Sequence, residues 1–161
     1  MSRKRNKQGV LSEALLEKSW VRDHVRIGLQ AMGEYSMRVG EKEYRVTDSL
    51  DFDEATRPQA PRENRWDYFI GAREQTQTWR GGQRECIVGV EVHSATDGNV
   101  KEVIAKKAAS KPLLAVELHM GKSVQRWVWV ASGSVKFSPN SKYRRQLASA
   151  RIEFVGRRLT L

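Results

Sequence analysis

The sequence has few of the residues that stabilise secreted proteins. Cys86 is the single cysteine among 161 residues, and there are only four prolines. One cysteine excludes an intramolecular disulfide and favours a reducing compartment, so we expect a cytoplasmic protein. No apolar run approaches the length that crosses a membrane, and none of the signal-peptide kind follows the basic segment MSRKRNKQG. We therefore expect no membrane partner.

Motifs of several common enzyme classes are also absent. One cysteine and three dispersed histidines provide no recognisable zinc motif. Gly81–Gly82 lacks the Lys-Ser/Thr pair and the helix that follow a phosphate-binding loop, and there is no Gly-x-Ser-x-Gly elbow. These absences argue against a zinc enzyme, a P-loop nucleotidase and a serine hydrolase with that elbow.

Basic residues, in contrast, are abundant and indicate a partner. The chain has 29 Lys+Arg against 19 Asp+Glu, a net charge of +10 and an isoelectric point of about 10.0. Such an excess attracts polyanions, of which nucleic acid is the most common, although solvated surface cations are the alternative explanation. The residues that we expect to bind nucleic acid are Arg3, Lys4, Arg5, Trp79, Arg80, Lys101, Arg144 and Arg145.

The hydrophobic pattern predicts an α+β fold in which helices flank a central mixed β-sheet. Residues 1–10 read as a basic, disordered arm, and residues 11–161 read as a single domain. There is no internal repeat of the kind that builds a solenoid. The arm and the domain together account for the whole sequence.

The first half of the domain is predicted to contain one long helix and two strands. Ser12 is a suitable N-cap, and apolar residues at i, i+4 spacing predict a helix from there to about Ala31. Two short strands with a turn at Gly40–Glu41 should follow. Residues 48–65, which contain an acidic cluster and two prolines, are predicted to form a solvated loop.

The second half is predicted to contain a hairpin followed by a βαβ unit. The segments RWDYFIGA and CIVGVEV pair as an antiparallel hairpin, and a helix then runs from Thr96 or Asp97 to Pro112. The apolar segment LLAVEL is predicted to be the parallel strand after this helix. A strand over QRWVWVASG, with tryptophans on one face and valines on the other, a short helix and a strand over ARIEFVG complete the domain.

Two titratable residues lie on one face of the second hairpin strand. Because strand side chains alternate, Glu91 and His93 share a face, and Val90 and Val92 share the opposite one. If the hairpin pairs as predicted, Asp67 of the first strand lies near Glu91. Two neighbouring carboxylates in a partly buried place repel, so at least one pKa should rise. A divalent cation relieves that repulsion, and oxygen ligands suit Mg²⁺ or Mn²⁺.

This constellation resembles the PD-(D/E)XK nuclease superfamily. In that family a carboxylate begins one strand, a Glu-x-Lys tripeptide lies on the next, and a crossover helix follows. The resemblance implies a restriction-endonuclease-like fold with an αβββαβ core, and metal ligation by Asp67 and Glu91. His93 stands in the place of the motif lysine. Three alternatives follow: His93 acts as general base or as metal ligand, Lys106 or Lys101 reaches back into the site from the next helix, or the site is degenerate.

Three further residues bear on the resemblance. Trp66 precedes Asp67 where the family has a proline. Members that resemble Holliday-junction resolvases place a glutamate on the first helix, for which Glu13 and Glu17 are the candidates.

Two functions follow from these patterns. One is a metal-dependent phosphodiesterase that cleaves DNA or RNA, and the other is a non-catalytic module that binds nucleic acid or protein and has a degenerate site. In the second case Glu91 is a structural ion-pair partner of an arginine such as Arg65 or Arg73. The sequence leaves open whether the chain forms a homodimer.

Overall fold

The computed structural model describes residues 8–62, 64–76, 82–137 and 142–161. The α-helices in these ranges are α1 (Val10–Ala14), α2 (Phe52–Thr56), α3 (Val100–Ala115) and α4 (Lys142–Ser149). The strands are β1 (Val25–Ile27), β2 (Val39–Gly40), β3 (Tyr44–Asp51), β4 (Tyr68–Glu74), β5 (Glu85–Thr96), β6 (Arg126–Lys136), β7 (Glu153–Phe154) and β8 (Leu159–Thr160). Segments of 3₁₀ helix cover Trp20–His24, Gln30–Arg38 and Asp97–Asn99. None of the helices in these ranges is long and apolar enough to span a membrane.

A six-stranded mixed sheet forms the centre of the fold, in the order β1-β3-β4-β5-β6-β7. The pairs β1–β3, β3–β4 and β4–β5 are antiparallel, whereas β5–β6 and β6–β7 are parallel. Helix α3 makes the crossover from β5 to β6. The predicted α+β class with a central mixed sheet is therefore confirmed. The predicted turn at Gly40–Glu41 does not join paired strands, because β2 pairs with β8 and not with β3.

The sheet buries a hydrophobic core on each face. One core packs under α1, α3 and α4 and is rich in aromatic side chains, including Trp66, Phe69, Trp127 and Trp129. The other core is aliphatic and includes Met32, Ile70, Val90, Val128 and Val130. The predicted alternation of tryptophans and valines along β6 is thus confirmed, because each set belongs to a different core.

The predicted pairing of β4 with β5 is confirmed over Tyr68↔Val90 to Arg73↔Glu85. Residues 77–81, which contain Trp79 and Arg80, lie outside the described residues. The pairing places Glu91 one residue beyond the register partner of Tyr68, so it lies beside the start of β4, next to Asp67.

The long helix predicted from Ser12 to Ala31 is wrong. Helix α1 already ends at Ala14, because Leu15 takes an extended conformation and forms a β-bridge with Leu118. The rest of the segment contains a 3₁₀ turn over Trp20–His24, β1 and the start of the 3₁₀ segment Gln30–Arg38. The apolar stripe does mark buried positions, but distant contacts determine the backbone around them. At the other end of α1, Val10 is already buried, so packed structure begins within the predicted 1–10 arm.

The region predicted as a solvated loop, residues 48–65, is partly ordered and partly buried. Strand β3 runs to Asp51, whose side chain accepts a hydrogen bond from the N–H of Glu54 at 2.9 Å and so caps α2. Asp48 is 3% exposed and accepts the N–H of Leu11 at 3.0 Å. Several acids of the cluster therefore have structural roles.

Two interpretations around α3 are also wrong. Pro112 lies inside this helix and does not end it, and the segment LLAVEL continues α3 and then turns. The parallel partner of β5 is instead β6. Leu114 is buried in the aromatic core, and this packing carries the helix past a residue that lacks a backbone N–H.

Candidate active site

Glu91 is a glutamate with no exposed surface, on the face of β5 that packs beneath α3. One carboxylate oxygen, Oε2, accepts the backbone N–H of Asp67 at 3.0 Å. The other, Oε1, accepts a hydrogen bond from Nζ of Lys106 at 2.5 Å. Both oxygens are therefore bonded, as burial of a carboxyl group requires.

Asp67 lies one residue before β4 and joins the two strands of the hairpin. Its Oδ2 accepts the N–H of Val92 at 3.0 Å, and its Oδ1 lies 3.7 Å from Nζ of Lys106. The carboxylates of Asp67 and Glu91 therefore lie on one side of the sheet, within salt-bridge distance of the same ammonium group. The prediction that they are close neighbours is confirmed. Asp67, Glu91 and Lys106 are called the triad below.

Burial is the largest single influence on the pKa of each triad residue. It raises the pKa of Glu91 to about 8, with a further increase from the charge of Asp67 and a decrease from Lys106. Burial also raises the pKa of Asp67, against the opposing effect of Lys106. For Lys106, burial lowers the pKa, but the two carboxylates outweigh it and the pKa lies above its usual value. The expected rise of a carboxyl pKa is thus confirmed in direction for both acids.

The lysine of the triad comes from the crossover helix and not from β5. Lys106 lies in α3, and its side chain is 14% exposed. This is one of the three alternatives that the sequence left open. The other candidate, Lys101, is exposed in the first turns of the same helix.

His93, at the position of the motif lysine, has hydrogen-bonding and ring contacts outside the triad. Its Nε2 lies 3.3 Å from Oε1 of Glu102, and its Nδ1 lies 3.1 Å from the carbonyl oxygen of Ser94. The imidazole also packs edge-on against Trp129. Among the described residues His93 forms no ion pair with either triad acid, although its charge lowers the pKa of Asp67. No pattern in the sequence indicated Glu102 as its partner.

Neither arginine that was considered as a structural partner of Glu91 pairs with it. Arg73 pairs with Glu85 at 3.0 Å. Arg65 is 3% exposed and lies 3.4 Å from Asp53. Asp53 in turn raises the pKa of Asp67, so a third acid, predicted to lie in a loop, contributes to the negative potential at the triad.

The donor chemistry of the acid pair fits a magnesium-like cation in part. Asp67 and Glu91 offer two hard oxygen ligands on one side of the sheet, and Mg²⁺ is often bound by one or two carboxylates with water and substrate phosphates completing its shell. The described residues contain no group of three or more metal-ligating side chains. A cation at this site would therefore depend on oxygen ligands from water and substrate, and it would share Glu91 with Lys106.

The other predicted nucleic-acid-binding residues are more scattered. Arg144 and Arg145 are exposed on α4, and Arg144 borders a cleft of about 140 Å³ that Phe137 and Phe154 also line. The basic residues Arg3, Lys4 and Arg5 lie outside the described residues, so their predicted role stays a prediction. Glu13 lies in α1 and Glu17 follows it, and both are exposed.

Comparison with known proteins adds no relative. No family model matches the chain, and no curated protein or solved structure matches it. The triad is therefore interpreted from its own geometry.

Proposed function

We propose that this protein is a divalent-metal-dependent phosphodiesterase of the PD-(D/E)XK type that cleaves nucleic acid. The observation that carries the proposal is the convergence of the triad: two acids from adjacent strands lie within 4 Å of one lysine nitrogen. The order α1, β3, β4, β5, α3 and β6 also resembles the αβββαβ core of that superfamily. The net charge of +10 suits a polyanionic substrate.

Each triad residue has a chemical role in this proposal. Asp67 and Glu91 would hold Mg²⁺ or Mn²⁺, which when bound polarises a phosphate and lowers the pKa of a water molecule. The ammonium group of Lys106 stabilises the negative charge that develops on the phosphate oxygens. Lys106 would thereby perform the role of the lysine in the Glu-x-Lys motif of that superfamily.

His93 has a secondary role. Its ring is held by Glu102 and Ser94 at the end of β5, where its side chain keeps 19% of its surface exposed. An imidazole can exchange a proton near neutral pH, so His93 is the candidate for proton transfer to or from water. It is not required to hold the acids together.

A non-catalytic nucleic-acid- or protein-binding module is the second candidate function. The observation that favours it is the complete hydrogen bonding of Glu91, whose two oxygens are already occupied and which has no exposed surface. A closed ion pair of this kind also suits a degenerate site that has kept only its structural part.

Cleavage of labelled DNA and RNA with Mn²⁺ or with EDTA separates the two functions. We expect metal-dependent cleavage that falls at least about 100-fold in Glu91→Gln and in Asp67→Asn, because each variant removes a charged ligand. Glu85→Gln, an acid on the same strand outside the triad, serves as the matched control and should keep its activity. Cleavage that survives Glu91→Gln contradicts the assignment. Absence of both cleavage and an Mn²⁺-dependent rise in Tm supports the binding module.

A further inference from the structure

Three cations meet where α3 packs against the end of α4. Lys107 donates hydrogen bonds from Nζ to the carbonyl oxygens of Ala150, at 2.5 Å, and Arg151, at 3.2 Å. Its ammonium lies 5.3 Å from the centre of the Trp127 ring. Lys111 follows one turn later on α3, and both Lys111 and Arg151 are exposed. Lys107, Lys111 and Arg151 are called the cation platform below.

The platform has uncompensated positive charge. Among the described residues none of the three cations has a carboxylate within salt-bridge distance. Burial lowers the pKa of Lys107, and the charges of Lys111 and Arg151 lower it further. Like charges brought together in this way repel, and an anion bound between them removes the repulsion.

The backbone of Arg151 provides an independent indication. This residue has a φ of 54° and is the single described non-glycine residue with a positive φ. It occupies the position after α4 where the N–H of Ile152 donates to Leu147 and its own N–H donates to Ala148, a helix end that usually carries glycine. An arginine is strained there, and strained residues cluster at functional sites. Compared with glycine, arginine is unfavourable for the backbone at this position, so any advantage it brings comes from its side chain.

We propose that Lys107, Lys111 and Arg151 bind the phosphate backbone of a nucleic acid and hold it beside the triad. This inference rests on the proposed function, whose substrate it positions. Lys107 follows Lys106 directly in α3, so the two side chains leave neighbouring sides of one helix turn. Arg144 and Arg145 are exposed on α4, the helix whose end precedes Arg151.

The test measures binding without catalysis. A fluorescein-labelled 30-base DNA, single-stranded and as a duplex, is titrated by anisotropy in EDTA over a series of KCl concentrations. Each lost phosphate contact should reduce the slope of log K against log salt by about 1. We expect Lys111→Gln and Arg151→Gly to weaken binding several-fold at low salt and to reduce the slope, and the double variant to reduce it by about 2.

Arg151→Gly separates this role from a structural one. Glycine relieves the strained backbone, so its Tm should equal or exceed that of the wild-type protein although its affinity falls. Arg45→Gln removes one exposed cation from the opposite end of the sheet and is the charge-matched control. A loss of affinity as large in Arg45→Gln as in Arg151→Gly would overturn the platform, because net charge alone would then explain it.

The remaining outcomes distinguish this inference from the proposed function. If the wild-type protein binds DNA and the platform variants bind it equally well, the platform is wrong whatever the cleavage assay shows. If the variants lose DNA binding and the wild-type protein cleaves nothing, the platform stands and the catalytic proposal fails. Vesicles of phosphatidylglycerol are the probe for a lipid surface: variants that lose vesicle binding but keep DNA binding also overturn the inference.

Discussion

Nζ of Lys106 lies 2.5 Å from Oε1 of Glu91, a carboxylate with no exposed surface. The pair joins the crossover helix α3 to the central strand β5. Removing one partner from a buried pair leaves an uncompensated charge in a medium that solvates it poorly. The same contact therefore contributes to the fold and, in the proposed function, to the chemistry.

Lys106→Met should abolish most activity and also reduce stability. The variant loses the cation that would stabilise the charged phosphate, which is worth roughly 100- to 1000-fold in kcat. It also removes the cation that lowers the pKa of Glu91, so at pH 8 the buried carboxyl stays largely protonated and loses a hydrogen-bond donor, at a cost of about 1–3 kcal/mol. Cleavage rates and thermal melts measure the two effects. Lys42→Met, at an exposed position before β3 and outside the triad, is the control, and full activity in Lys106→Met would show that the lysine is only structural.

His93→Asn should reduce activity less than Lys106→Met does, by no more than about 100-fold, the lower end of what a general acid or base contributes. The imidazole contacts Glu102 and not the two acids, so the rise in Tm on addition of Mn²⁺ should be retained. A titration of Tm against Mn²⁺ and a measurement of kcat for the same protein separate ligation from proton transfer. Loss of the Mn²⁺ effect in His93→Asn would make His93 a metal ligand instead.

The metal-free protein should become less stable as the pH rises from about 5 to about 8. Burial raises the pKa of Glu91 from 4.5 to about 8 in the folded state, so the folded protein keeps a proton that the unfolded chain has released. The stabilisation is complete below the unfolded pKa and is lost as the pH rises through the folded one. At 1.36 kcal/mol per pKa unit its upper limit is about 5 kcal/mol, which corresponds to roughly 10–20 °C in Tm.

Thermal melts in EDTA at pH 5.5 and pH 8 measure this dependence. Glu91→Gln cannot titrate at this position and should show a flatter profile, whereas Glu85→Gln should follow the wild-type protein. Parallel profiles for wild type and Glu91→Gln would mean that Glu91 is ionised throughout this range.

Gly89→Ala should destabilise the aromatic core. A Cβ at this position on β5 would lie 3.0 Å from a ring carbon of Phe69 and 3.0 Å from Nε1 of Trp66. Both rings are fully buried, so the expected cost is about 1–3 kcal/mol. Gly133→Ala, on β6 with no atom within 4 Å of the added Cβ, should be near neutral. Equal denaturant midpoints for the two variants would contradict this packing.

The hairpin and the acid pair were predictable from local patterns. Alternation along β5 separates Glu91 from Val90 and Val92, and this follows directly from strand geometry. The antiparallel pairing with β4 then brings Asp67 to Glu91 without any long-range information. The approach of Lys106 was predictable only as one of two alternatives, because the rotation of a helix over a sheet depends on packing.

The errors arose where tertiary contacts override local preference. Pro112 is a strong helix breaker in isolation, but burial of Leu114 keeps α3 helical beyond it. An apolar run such as LLAVEL also fits either a strand or a buried helix segment, and its sequence alone does not distinguish them. The first predicted helix failed for the same reason, since Leu15 pairs with the distant Leu118.

The contacts of the crossover helix α3 differ in how much of the chain must fold before they can form. The contacts of the triad close short loops: Asp67 and Glu91 are 24 residues apart, and Glu91 and Lys106 are 15 apart. Lys107, one residue further on, bonds to Ala150 across 43 residues and needs the C-terminal helix. Fraying of α4 would therefore break the Lys107–Ala150 contact and disrupt the cation platform, while Asp67 and Glu91 stay in place. Hydrogen exchange of α4 and of β5 would report the two events separately.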